Sequence, residues 1–168
     1  MNHAERERLF LELLAENKVR LERLCYGYLN SAPDVEDLFQ EIMTNVWNSL
    51  PAFRGEAKAS TWLYRIAVNT ALLYRKKWKR GEALADLPDG RRGPQQNLED
   101  QERLSALRRA ISSLPDQDRL IVTLLLEGLT YREIADITGI TINYVGVKIS
   151  RIKQAIEQLM KEVEYGAV

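Results

Sequence analysis

The amino-acid sequence predicts an all-α fold of two small helical domains joined by a flexible linker, the C-terminal one a four-helix domain with a helix-turn-helix. Apolar residues recur at helical spacing in almost every window, and strand signals are nearly absent. The periodicity stops between Gly81 and about Leu98, where glycine and proline residues accumulate. From Thr130 onward, small, glycine and branched apolar residues follow the spacing of a helix-turn-helix.

The first predicted domain, residues 1–80, contains helices that are outlined by apolar periodicity and by proline. One or two helices are expected up to Tyr28. Pro33 stands where the first turn of a helix tolerates proline, and the helix that follows is expected to end before Pro51. The loop sequence PAFRGEAKAS then leads to a long helix, which begins near Thr61 and continues into the basic run RKKWKR.

The predicted linker, residues 81–97, separates the first domain from the second, residues 98–168. Its glycines and prolines argue against a continued helix. Because a stretched segment of this length could reach about 60 Å, the two domains need not touch. In the second domain, one helix is expected to stop before Pro115 and the next to end at Gly128.

The sequence TYREIADITGITINYVGVKISRIKQAI carries the most specific motif. Thr130 and Glu133 fit a capping box, in which each side chain satisfies an exposed backbone donor. Ala135 is small where two helices could cross, Gly139 suits a turn that needs positive φ, and Val145 falls on the buried face of the next helix. The alternative interpretation is an ordinary helical hairpin whose cations are solvated.

The outward and flanking positions of the second helix of this motif are candidate DNA readers. They are Asn143, Tyr144, Val147, Lys148 and Arg151. Gly146 lies among them, although glycine inside a helix costs about 1 kcal/mol relative to alanine. Either the bare backbone allows close approach to a phosphate, or the glycine is neutral.

Composition excludes several kinds of site. The 24 basic and 24 acidic residues give a formal net charge of zero, so any DNA binding must depend on how charge is distributed. Cys25 is the only cysteine and His3 the only histidine, which excludes an intrachain disulfide and leaves no spacing for zinc. Cys25 is expected to fill the core. No cofactor is expected. No membrane span and a cytoplasmic location are expected, because the start of the sequence is charged and no run of about 18 uncharged apolar residues follows.

Charge is segregated along the first domain. Acidic residues cluster from Asp34 to Glu41, and basic residues occupy the run RKKWKR, where they either complement the helix dipole or contact phosphates. Upstream, FRGEAKASTWLYRIAVN combines a loop, polar side chains and aromatic residues, as expected of a site that holds an unstacked base. Taken alone, Trp62 and Tyr64 would more often be core residues.

Two stretches, DVEDLFQEIMTNVWNSLPAFRGEAKASTWLYRIAVN and LPDQDRLIVTLLLEGLTYREIADITGI, resemble the two conserved regions of the extracytoplasmic-function (ECF) group of bacterial RNA polymerase sigma factors. The resemblance implies a transcription initiation factor whose first domain binds core RNA polymerase and opens the −10 promoter element, and whose second domain reads the −35 element. Members are often held inactive by an anti-sigma factor, so the resemblance also implies such a partner. Two positions depart from the family pattern: Ala59 stands where many members have an aromatic residue, and Leu73 where an acidic residue is common.

Three sets of candidate residues follow from the resemblance and from the pattern of charge. The polymerase set comprises Asp34, Asp37, Leu38, Gln40 and Glu41. The −10 set comprises Arg54, Lys58, Ser60, Thr61, Trp62, Arg65, Asn69, Arg75, Lys76, Lys77 and Arg80. The −35 set comprises Arg132, Thr141, Asn143, Tyr144, Val147, Lys148 and Arg151.

Two other classes of function remain open at this point. A conventional DNA-binding regulator would bind duplex DNA tightly on its own and carry an effector or partner domain before its helix-turn-helix. An enzyme would need groups that are scarce here, because one histidine, one cysteine and no glycine-rich phosphate loop leave little for nucleophilic or metal chemistry. The expected function is a non-catalytic subunit, with core RNA polymerase and promoter DNA as partners. A compact free form is expected to differ from the polymerase-bound one.

Overall fold

The computed structural model describes residues 1–29, 31–78 and 98–166, and every regular element within these ranges is helical. The α-helices are α1 His3–Tyr28, α2 Ala32–Ser49, α3 Ala59–Trp78, α4 Leu98–Ser113, α5 Asp116–Leu126, α6 Tyr131–Thr138 and α7 Ile142–Tyr165. A 3-10 turn, Leu50–Ala52, follows α2. The predicted all-α class is confirmed, with helices α1–α3 before the linker and four helices after it. The predicted linker itself lies outside the described residues.

The first domain consists of α1, α2 and α3, which pack on one another. The N-terminal periodicity produces one helix rather than two, and α1 begins with a capping box formed by Asn2 and Glu5. Trp47 of α2 anchors the early turns of α1. Its ring meets the Phe10 ring edge-on with centroids 5.4 Å apart, and the Arg6 guanidinium lies 4.2 Å from the Trp47 ring centroid. Arg6 also donates to the Trp47 carbonyl, so the start of α1 is held against the end of α2.

Each domain buries apolar side chains that recur at helical spacing. The fully buried residues of the first domain include Leu21, Leu24, Leu38, Ile42 and Leu63. Those of the second domain include Leu120, Ile121, Leu124, Ile134 and Val145. Cys25 is also buried, as expected, and burial raises the pKa of its thiol from 9.0 to about 12.

The helices of the second domain end where the sequence predicts. Helix α4 stops at Ser113, Pro115 caps the start of α5, and Gly128 follows the end of α5 with a φ of 83°. Positive φ is a conformation that glycine adopts without steric cost. Helix α7 packs on α4, α5 and α6, so it forms the centre of this domain.

The two domains are in direct contact, although a linker of this length did not require it. Helix α1 packs on α5 and α3 packs on α6, and the buried apolar residues of both domains form one continuous cluster. Helices α1 and α5 lie close together at Gly27, where an added Cβ would lie 2.6 Å from Thr123 Cγ2. A side chain at Gly27 would therefore separate α1 from α5. We call the α1–α5 and α3–α6 contacts the domain interface.

Candidate nucleic-acid and polymerase interfaces

The helix-turn-helix formed by α6 and α7 has the local geometry that its sequence predicts. The Glu133 N–H donates to Thr130 Oγ1 at 3.2 Å, and the Thr130 N–H donates to Glu133 Oε2 at 2.8 Å. These hydrogen bonds, the backbone one foremost, lower the pKa of Glu133. Gly139 ends α6 with a φ of 77°, and both Ala135 and Val145 are buried at the crossing of the two helices. The motif therefore holds α7 in a fixed orientation against α6.

The outward face of α7 borders an open, shallow groove. Its lining residues are Tyr131, Ile142, Asn143, Gly146, Val147, Ser150, Arg151 and Gln154. Three residues of the −35 set, Asn143, Val147 and Arg151, therefore lie side by side on this face. The sequence prediction missed Ile142, Ser150 and Gln154, although each is four or eight residues from Gly146, a spacing that marks one row on a helix.

The other members of the −35 set flank the groove or are held by neighbours. Arg132, Thr141 and Tyr144 are exposed, and Thr141 caps α7 by accepting a hydrogen bond from the Tyr144 N–H at 3.2 Å. Lys148 is different, because its Nζ lies 2.5 Å from Asp118 Oδ1 and its side chain is only 16% exposed. The ion pair joins α7 to α5, so Lys148 contributes to the packing of the domain as well as to its surface charge.

The segment before α3 and the first turns of α3 hold the −10 candidates that could contact a base. Arg54 and Lys58 are exposed in the segment, whereas Ser60 and Thr61 are half-buried in the first turn. Trp62 is half-buried as well, and its ring centroid lies 4.8 Å from that of Phe53. Trp62 also packs against the core, so it supports the segment from the start of α3.

Tyr64 is a core residue, which is the more frequent outcome expected for it when taken alone. Its burial raises the pKa of its hydroxyl. Arg65 and Asn69, one turn apart on α3, are exposed. Of the two positions that depart from the family pattern, Ala59 is half-buried at the start of α3 and Leu73 is 59% exposed.

The basic end of α3 divides into exposed and engaged cations. Lys76 and Lys77 are exposed, and Lys77 Nζ lies 3.8 Å from Glu41 Oε1. The Arg75 side chain is only 13% exposed and meets the second domain. Arg80 lies outside the described residues. The basic residues at the end of α3 therefore do not form one uniformly solvated surface, because Arg75 is largely buried whereas Lys77 is exposed.

The polymerase set lies on the N-terminal half of α2. Asp37 and Gln40 are exposed, and Asp34 and Glu41 are half-buried. Burial first, and then the negative charges of Asp34, Asp37 and Glu41, raise the pKa of the Tyr74 hydroxyl on α3.

Leu38 requires a correction. Its side chain is 0% exposed and belongs to the core of the first domain, so it cannot contact a partner in this conformation. The helical spacing of Leu38 with Val35 and Ile42, both buried, explains why it points inward.

Two kinds of feature are absent from the part of the chain that the structure describes. No group of three or more His, Cys, Asp or Glu side chains is arranged to hold a metal ion there. No helix in the same ranges is long and apolar enough to cross a membrane.

Comparison with known sequences gives matches to both halves of the chain. The model of Sigma-70 region 2 matches residues 13–81, and the model of Sigma-70 region 4 matches residues 104–156. The ECF RNA polymerase sigma-E factor of Escherichia coli strain K12 is 31% identical over 169 residues, which cover 90% of this chain and 86% of that protein. The ECF RNA polymerase sigma factor SigW of Bacillus subtilis strain 168 is 26% identical over 168 residues, with 92% and 90% covered.

Solved structures share the fold. CnrH in complex with the cytosolic domain of CnrY gives a TM-score of 0.68 at 21% identity, covering 92% of this chain and 89% of that one. The sigma factor RpoE in complex with the anti-sigma factor NepR from Bartonella quintana gives a TM-score of 0.64 at 22% identity, covering 92% and 96%.

Proposed function

Since this chain belongs to the ECF RNA polymerase sigma factors and directs RNA polymerase to promoters, we propose how its two domains divide that function. The first domain, residues 1–80, binds core polymerase and promotes strand opening at the −10 element. The second domain, residues 98–168, reads the −35 element, and residues 81–97 connect the two. The chain is a non-catalytic subunit that works in the cytoplasm, and the polymerase supplies the chemistry.

The outward face of α7 is the proposed reader of the −35 element, and this face is the observation that carries the assignment. A helix held by a helix-turn-helix enters the major groove with its N-terminal residues nearest the bases. Asn143 suits adenine, Arg151 suits guanine, and the methyl groups of Val147, 45% exposed, suit thymine. Arg132 and Thr141, exposed at the starts of α6 and α7, are the proposed phosphate contacts.

The exposed segment before α3, together with the outer face of α3, is the proposed site for single-stranded −10 DNA. Trp62 offers a ring face for a base that has left its stack. Arg65 and Asn69 provide hydrogen-bond donors along α3, and Lys76 and Lys77 supply charge for the phosphates. Arg54, Lys58, Ser60, Thr61 and Arg75 complete the proposed site.

The acidic face of α2 is the proposed polymerase-binding surface, now without Leu38. Charge reversal tests it: Asp37→Lys combined with Glu41→Lys should lower affinity for core polymerase about tenfold or more, because attractive contacts become repulsive. Glu7→Lys combined with Glu16→Lys is the matched control, since it changes the net charge equally at two exposed acidic residues on α1 of the same domain. Pull-down with core polymerase and run-off transcription provide the measurements.

The outcomes of the charge-reversal experiment are distinct. Loss of polymerase binding in the α2 variant alone, with −35 duplex binding retained, supports the assignment. Wild-type polymerase affinity in the α2 variant would contradict the placement of this surface. Tight, sequence-specific binding of the free wild-type chain to duplex DNA, without polymerase, would instead favour a conventional regulator.

An anti-sigma factor is a further proposed partner. RpoE of Bartonella quintana is described in complex with the anti-sigma factor NepR, and CnrH with the cytosolic domain of CnrY. The present chain has the same fold, so a protein of that class is expected to cover one of the DNA or polymerase surfaces. Affinity capture with the wild-type chain as bait, and with the α2 charge-reversed chain as comparison, tests this.

A further inference from the structure

Three exposed apolar side chains lie together on the outward groove of the helix-turn-helix. Tyr131 of α6 and Ile142 and Val147 of α7 are 39%, 44% and 45% exposed, and all three line the groove. Single apolar residues are normal on a protein surface, whereas a group of them marks a surface that binds something. The −35 role proposed above uses Val147, but it gives no reason for the exposure of Tyr131 and Ile142.

The apolar members of the groove surround Gly146. Ile142 lies one helical turn before Gly146 on α7, and Val147 follows it. The Tyr131 ring closes the groove from α6, because a Cβ at Gly146 would lie 3.7 Å from Tyr131 Cε2. Since Gly146 has no side chain, the space between Tyr131, Ile142 and Val147 is left open. We call this space the apolar cleft.

The polar residues of the groove limit what can enter the apolar cleft. Asn143 carries an amide, and Arg151 is the one charged residue among the lining residues that the structure describes. Asn143 precedes Val147 by four residues, so the amide and the valine methyl groups share one row of α7. A matching ligand therefore offers an apolar group directly beside hydrogen-bonding atoms.

One base pair of B-DNA has this combination on its major-groove edge. Thymine presents its C5-methyl group there, and the paired adenine presents a donor and an acceptor that an asparagine amide can bind in a bidentate manner. Guanine and cytosine present hydrogen-bonding groups but no methyl group. The T·A pair is thus the pair whose edge matches both the apolar cleft and the Asn143 amide.

We propose that the apolar cleft is a receptor for thymine methyl groups, with Tyr131, Ile142 and Val147 as the residues that determine base specificity there. The proposal rests on the −35 role proposed above for α7, and it adds Tyr131 and Ile142 to the residues that read the element. T·A pairs opposite the first turns of α7 are then read through an apolar contact. Uracil pairs with adenine in the same way but lacks the methyl group, so the chain discriminates against it.

Exchange of thymine for uracil tests the apolar cleft directly, because the two bases differ only in the methyl group. The ligand is a duplex promoter mapped from the transcription starts of this sigma factor, with uracil in place of each thymine of the −35 element in turn. The holoenzyme should bind at least one of these duplexes about fourfold more weakly, which is the effect of losing one buried methyl group. Uracil between the −35 and −10 elements is the matched DNA control and should leave the affinity unchanged.

Variants of the chain show whether the preference for thymine comes from the apolar cleft. Val147→Thr replaces one methyl group by a hydroxyl of similar size, so the ratio of affinities for thymine and uracil should fall to about two or less. Val19→Thr is the matched control, because Val19 is an exposed valine on α1 outside the groove, and it should keep the wild-type ratio. Ile142→Thr and Tyr131→Ser test the other two walls and should each lower the ratio at one of the thymines.

Each ratio compares two duplexes on one protein preparation, so any loss of folded protein cancels from it. Three results would overturn the methyl receptor. The first is a −35 element without thymine on either strand. The second is equal affinity for thymine and uracil at every position, as expected if the apolar cleft serves a protein partner. The third is a preference for thymine that none of the three cleft variants lowers, because such a preference would come from the shape of the DNA.

Failure of the methyl receptor can be told from failure of the −35 assignment. A promoter whose −35 element is shuffled at constant composition should bind the holoenzyme about tenfold or more weakly, because several base pairs are then mismatched. Unchanged affinity for the shuffled promoter would reject the −35 role of α7 itself. Weakened binding there, combined with no preference for thymine over uracil, would reject only the methyl receptor.

Discussion

Gly146→Ala tests whether α7, the proposed recognition helix, needs a residue without a side chain in the lining of its outward groove. An added Cβ would lie 3.7 and 3.9 Å from two ring atoms of Tyr131, which is ordinary van der Waals contact. Alanine therefore fits without strain. Because glycine inside a helix costs about 0.8–1.0 kcal/mol relative to alanine, the variant should be more stable by about 1 kcal/mol. In a chain of this length the melting temperature should rise by about 2–4 °C.

The same methyl group would join the lining of the groove, where DNA is proposed to approach α7. We expect affinity of the holoenzyme for a promoter mapped from its own transcription starts to fall about tenfold, which corresponds to about 1.4 kcal/mol. Melting of the same preparation is the control, because a more stable protein that binds DNA less well cannot be a misfolded one. Raised stability with unchanged promoter affinity would refute the close-approach interpretation, and lowered stability would refute the helix argument itself.

Three further variants test the packing that supports these surfaces. Arg119→Met should lower the free energy of unfolding in urea by about 1.5–3 kcal/mol, because buried carbonyls lose a charged donor; a loss below about 0.5 kcal/mol would contradict this. Burial raises the pKa of Cys25, Tyr28 and Tyr64, so stability is retained below their ordinary values of 9.0 and 10.0. Above those pKa values the free energy of unfolding should fall by about 1.4 kcal/mol per pH unit for each group. Tyr64→Phe should make this decline shallower in unfolding experiments over a pH series, and an unchanged slope would count against it. Thr130→Ala should cost about 1 kcal/mol and raise the pKa of the Glu133 carboxyl only in part, because the Thr130 N–H, which lowers it most, is kept; an NMR titration that shows a complete return to the ordinary value would contradict that backbone hydrogen bond as the main cause.

The features that could be predicted from the sequence are those that local spacing determines. The helix-turn-helix is such a case, since the capping box, Gly139 and Val145 lie within one short stretch. Features that depend on distant partners could not be predicted. The sequence LPDQDRLIV gives no sign that Arg119 is buried, because its hydrogen-bond partners are backbone carbonyls, which every residue carries. Lys148 reads as a free DNA contact, because its partner Asp118 is 30 residues away.

The outward face of α7 carries few free charges, and this has a consequence for duplex binding by the free chain. Lys148 is paired with Asp118, so Arg132 and Arg151 are the exposed cations of the −35 set. Duplex binding by the free chain should therefore have a salt slope of only about 2. Weak duplex binding with so shallow a slope is expected of a sigma factor that depends on polymerase. A conventional regulator, whose duplex affinity must suffice without polymerase, should not behave in this way.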